Sequence, residues 1–70
     1  MKGMKMIGKV SSKEAVQMFL DQIPYSYAWF TGGMGATVYH YGDGKRELAA
    51  VTRHSNLKNS ECTYILYMKK

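Results

Sequence analysis

The stretch from Tyr25 to Arg53 reads YSYAWF (25–30), TGGMG (31–35), ATVYHY (36–41), GDGK (42–45) and RELAAVTR (46–53). The first, third and fifth pieces are rich in β-branched and aromatic residues and read as strands. The second and fourth are glycine-rich and read as turns. Asp43-Gly44 tolerates the positive φ of a two-residue type I′ turn. That turn, or a four-residue loop closed by Tyr41 and Arg46, pairs His40 with Glu47, Tyr39 with Leu48, Val38 with Ala49 and Thr37 with Ala50.

Register at the first turn decides which side chains share a face, because a one-residue slip turns a strand over. A five-residue loop over 31–35 pairs Phe30 with Ala36, Trp29 with Thr37, Tyr27 with Tyr39 and Tyr25 with Tyr41. With side chains alternating, Tyr25, Tyr27, Trp29, Tyr39, Tyr41 and Arg46 then occupy one face. The small residues Ala28, Ala36, Val38, Ala49 and Val51 occupy the other. A four-residue loop reverses that assignment.

Working outward, Met4 to Val10 alternates and carries Lys5 and Lys9, as an edge strand protected from aggregation does. Ser11-Ser12-Lys13-Glu14 fits a capping box with Ser11 at its head, and Val10 with Ala15 forms the accompanying apolar contact. Val16, Phe19, Leu20 and Ile23 make one apolar helical stripe, and Pro24 ends the helix. The stripe needs a sheet to cover, and the small-residue face is the natural seat. His54 to Ser60 is polar and reads as a loop. Glu61 to Met68 is apolar on both faces, the mark of an interior strand. Met1 to Gly3 is expected to be loose. The expected fold is α+β, in the order β-α-β-β-β-β, mainly antiparallel with one helix packed on one face.

Seventy residues make a single small domain, 1–70. A chain this short buries only about 60% of its unfolded surface, so homodimerisation is an expected source of further burial. One cysteine, Cys62, allows no internal disulfide and suits a reducing, cytoplasmic compartment. No apolar run reaches the roughly 18 residues of a membrane span, and the basic N-terminus lacks the apolar core of a signal peptide. The net charge of +5 favours polyanionic partners, although a charged surface also serves solubility.

No cofactor is implied. The loop Gly32-Gly33-Met34-Gly35 precedes a strand, whereas phosphate-cradling loops precede a helix. His40, His54 and Cys62 lack zinc-ligand spacing. Cys62 lies in an apolar strand, where an inert thiol is expected. A metal-independent ribonuclease needs residues such as His40, Arg46, Glu47, Arg53 and His54 to converge, and the register above scatters them. The aromatic face is the sharper signal. Unpaired bases stack on tyrosine and tryptophan rings, and Arg46 adds a cation. The sequence therefore reads as a non-enzymatic binding module, with single-stranded nucleic acid or an acidic protein surface on Tyr25, Tyr27, Trp29, Tyr39, Tyr41 and Arg46. The same rings suit a small regulator or inhibitor that binds a protein.

Overall fold

The computed structural model describes residues 3–33, 36–55 and 62–70. It contains strand β1 (Met4–Val10), helix α1 (Lys13–Leu20), and strands β2 (Tyr27–Gly33), β3 (Ala36–Gly42), β4 (Glu47–Ser55) and β5 (Cys62–Lys69). The order β-α-β-β-β-β and the α+β class are those read from the sequence. All strands form one antiparallel sheet in the order β1-β5-β4-β3-β2. The chain crosses from one edge to the other through α1, then returns by consecutive hairpins until β5 pairs with β1. Strand β5 is interior and β1 is an edge, as expected. The expectations for residues 1–2, 34–35 and 56–61 lie outside the described residues.

The helix begins one residue later than the capping box suggests. Ser12 is the N-cap, and its hydroxyl accepts from the Ala15 amide at 3.1 Å. That places Ala15 at the third helical position and removes Glu14 from the reciprocal role assigned to it. Two adjacent serines offer the same chemistry, and Ser12 takes the cap, with extended backbone at φ −120° and ψ 147°. The helix ends with Asp21 as its cap, and a bond from the Ile23 amide to the Leu20 carbonyl tightens the exit. Leu20 and Ile23 are buried, and Val16 and Phe19 pack against the core. The core joins Leu20 to Val51, Tyr64 and Leu66, with Tyr39 and Tyr41 at its margin.

Both hairpin registers differ from the sequence reading. Strand β2 runs on through Thr31, Gly32 and Gly33, so Gly33 pairs with Ala36, Phe30 with Tyr39, Trp29 with His40 and Ala28 with Tyr41. At the other turn, the Asp43 carboxylate accepts from the amides of Lys45 and Arg46, each at 3.0 Å. This organises Asp43 to Arg46 as a four-residue loop, with Gly44 at φ 91°. Gly42 then pairs with Glu47, and a bulge follows, so Tyr41 pairs with Ala49, His40 with Ala50 and Tyr39 with Val51. A β-carbon on Gly42 would stand 2.2 Å from the Arg46 carbonyl oxygen, so only glycine fits the closure.

The consequence is that β3 is turned over relative to expectation. Tyr39 and Tyr41 face α1 together with Ala28, Ala49 and Val51, whereas Val38 and Ala36 join the helix-free face. A further bulge between Met6 and Gly8 breaks the expected alternation of β1. It places Met6 and Lys9 with Tyr67 and Ile65 on the helix-free face, and Gly8 and Val10 with Leu66 and Tyr64 beneath the helix.

Candidate functional site

The helix-free face carries a cross-strand array built on His40. Trp29 is its partner on β2, and the two rings stack with centroids 5.2 Å apart and planes 11° from parallel. Tyr27, two residues before Trp29 on the same side of β2, lies with its ring 5.4 Å from the indole. His40 Nδ1 meets the Glu47 carboxylate, brought round by the β4 bulge. Its Nε2 lies 3.1 Å from the Thr31 hydroxyl. In the neutral imidazole, a proton on Nδ1 donates to Glu47 and leaves Nε2 to accept from the Thr31 hydroxyl. The imidazole is therefore fixed at both nitrogens and along one flat side.

Beside this array is a groove of about 430 Å³ lined by Tyr27, Trp29, Gly44, Lys45, Arg46 and Glu47. The Asp43-organised loop holds Lys45 and Arg46 at its rim, and Arg46 Nε approaches Asp43 at 3.6 Å. That carboxyl is held below its ordinary value by the Lys45 and Arg46 amides, with the Arg46 charge adding to them. Tyr27 is 56% exposed, which leaves ring surface open to a partner.

The six residues read as one aromatic platform thus divide. Tyr27, Trp29 and Arg46 meet at the groove. Tyr39 and Tyr41 are on the opposite face, half-buried near the helix. Tyr25 precedes β2 and sets its ring edge-on to Tyr41, with centroids 5.0 Å apart. Burial pushes the Tyr41 phenol up, and Tyr25 and Tyr39 add to the effect. The physical reason for the division is the inverted β3, which carries its tyrosines inward and presents His40 outward. The contribution of His40 to the platform was missed for the same reason. The alternation of aromatic Tyr39 and Tyr41 around His40 does not reveal which set faces outward.

The residues weighed for acid/base chemistry also divide. Glu47 and Arg46 both line the groove and His40 adjoins it, whereas Arg53 lies on the helix-bearing side. His54 sits on the helix-free face with Nε2 3.2 Å from the Thr52 hydroxyl. Among the described residues, no three His, Cys, Asp or Glu side chains cluster as metal ligands. No described helix is long and apolar enough to cross a membrane. Comparisons with family models, curated proteins and solved structures gave no match.

Proposed function

We propose that the protein is a small basic, non-enzymatic module that binds single-stranded nucleic acid in the Tyr27–Trp29 groove of its helix-free face. One observation carries this reading: two adjacent aromatic rings and two cations, Lys45 and Arg46, line the same concavity. Bases stack on exposed rings while backbone phosphates meet the cations, a combination that tolerates any sequence. Trp29 stacks on a braced imidazole, so little ring freedom is lost when a base arrives. The net charge of +5 adds long-range attraction.

Single-stranded RNA, single-stranded DNA and duplex, titrated against the protein over a range of salt, test the reading. The single strands are expected to bind more tightly than duplex, with affinity falling steeply as salt rises. Recovery of intact RNA after incubation is expected of a non-enzymatic module. Absence of binding to every nucleic acid at low salt overturns the proposal. It leaves the groove to the runner-up, a regulator or inhibitor that seats a protein on the same rings.

We also place the protein in the cytoplasm as a homodimer joined through β2. That edge strand has no charged side chain over Tyr27–Gly33, and its Phe30 is 70% exposed. The other edge, β1, carries Lys5, Lys9 and a bulge, all of which discourage strand addition. Pairing of β2 with a second β2 continues the sheet and buries Phe30. Sedimentation at micromolar concentration is expected to give twice 8.0 kDa, and Phe30→Lys is expected to return the monomer.

A further inference from the structure

A second concavity lies on the other side of the sheet, between α1 and strands β3 to β5. Its volume is about 270 Å³. Lys13 and Gln17 line it from the helix, and Tyr39, Tyr41, Arg53 and Tyr64 line it from the sheet. Two cations therefore face a space with three tyrosines in its wall, and among the described residues no carboxylate lines it.

Neither cation has a carboxylate partner among the described residues, where Glu47 meets His40 and Asp43 meets Arg46. Arg53 Nε is buried without a hydrogen-bond partner among those residues. The guanidinium is instead beside the Cys62 thiol and the Tyr39 phenol. Both are weaker acceptors than a carboxylate or phosphate, the anions that match the planar donor fork of arginine. Burying part of such a cation without an anion is unfavourable. The surrounding wall is largely ring and aliphatic surface, the setting in which a few fixed polar groups orient a small ligand.

We propose that this cavity binds a small aromatic anion, with its acidic group between Lys13 and Arg53 and its ring among Tyr39, Tyr41 and Tyr64. The volume is near the lower end for ligand pockets, about 300–1,000 Å³, so one ring with one phosphate or carboxylate suits it and a polymer does not. A phosphate dianion matches the two cations better than a single carboxylate charge. The cavity is on the opposite face from the nucleic-acid groove, so the two assignments stand or fall separately.

The test is a titration of isotope-labelled protein, followed by backbone amide shifts, with phenyl phosphate, benzoate, inorganic phosphate and phenol. Phenyl phosphate is expected to shift the amides of Gln17, Val51 and Arg53 saturably, with inorganic phosphate and phenol at least about tenfold weaker. Lys13→Gln and Arg53→Gln are each expected to weaken phenyl phosphate by about tenfold or more, the loss of one charge-assisted contact. Lys45→Gln, altered only at the other groove, is expected to bind as the unmodified protein does. Lys13 is exposed in the first helical turn, so its replacement remains informative if Arg53→Gln fails to fold. Benzoate stronger than phenyl phosphate assigns the acid as carboxylate, and the reverse order assigns phosphate. The proposal is overturned if none of the compounds shifts these amides saturably, or if Lys13→Gln leaves phenyl phosphate affinity unchanged. Inorganic phosphate binding as tightly as phenyl phosphate overturns it as well.

Discussion

Trp29 and His40 form a flat stack across the β2–β3 pairing, 5.2 Å between ring centroids. His40 is held by Glu47 at one nitrogen and Thr31 at the other, so the indole rests on a support that cannot rotate freely. Replacing Trp29 by alanine is expected to remove a stacking surface worth about 1–3 kcal/mol of nucleic-acid affinity per base. The indole is only half-buried, so the stability loss should stay below the about 3–5 kcal/mol of a core aromatic truncation. Anisotropy of a labelled single strand and urea denaturation of the same variant measure the two effects. A variant that unfolds yet shows unaltered affinity in its folded fraction would assign Trp29 to structure alone.

Ser12 and Ser11 differ in what they can do, although they are chemically identical. Only Ser12 has its hydroxyl on a helix amide. Ser12→Ala is expected to lower stability by about 0.5–2 kcal/mol, and Ser11→Ala by far less. The comparison is read from denaturation midpoints. Equal shifts for the two alanine variants would contradict the observed cap.

The strands and their succession along the chain were legible because periodicity and turn residues are local signals, whereas their order across the sheet depends on long-range pairing. Register was not, and the error has a simple form. At both hairpins the true pairing is displaced by an odd number of residues, since Trp29 meets His40 rather than Thr37, and Tyr39 meets Val51 rather than Leu48. Two odd displacements cancel between β2 and β4. Tyr27 and Trp29 are therefore on the helix-free side, and Ala28, Ala49 and Val51 on the helix-bearing side, as the sequence suggests. Only β3 is inverted. Its side chains Thr37 to Tyr41 alternate between moderately apolar sets, Tyr39 with Tyr41 against Val38 with His40, so hydrophobicity does not select a face. The Asp43 loop moves the β3–β4 pairing by two residues by holding two loop amides, and the bulge beyond Gly42 adds the third, which turns β3 over. A side-chain acceptor of that kind is visible in the sequence as an Asx-turn former, but its choice of amides is not.

That Asp43 closure gives a pH dependence of definite sign. The Lys45 and Arg46 amides lower the carboxyl below its ordinary value of 3.8 in the folded protein. A depressed folded value means that the contribution is present above the unfolded value and is lost as pH falls through the folded one. Asp43→Ala is therefore expected to be less stable than the unmodified protein at pH 7. The difference between them should shrink progressively below about pH 4. Denaturation curves at a series of pH values measure the gap, and one that stays constant down to pH 2 would remove the carboxylate from the loop's stability.

Cys62 is expected to titrate unlike an inert strand thiol. Hydrogen bonding to Arg53 is the main influence holding it below its ordinary value of 9.0, burial opposes the shift, and Ser55 assists, with its hydroxyl 3.9 Å from the sulfur. The thiolate is the form that iodoacetamide attacks. The alkylation rate plotted against pH should therefore show a lower midpoint for the folded protein than for the protein in urea. Arg53→Gln removes the principal cause and should move the folded midpoint upward, reducing the rate at neutral pH. Lys13→Gln should move it by less, since Lys13 contributes a smaller attraction from α1. A phosphate or carboxylate drawn to Arg53 competes with the thiolate for the same cation. Saturating phenyl phosphate should accordingly raise the Cys62 midpoint in the unmodified protein and leave it unchanged in Arg53→Gln. Equal midpoints in folded and unfolded protein would show that Arg53 does not stabilise the thiolate and would break this link between the thiol and the cavity.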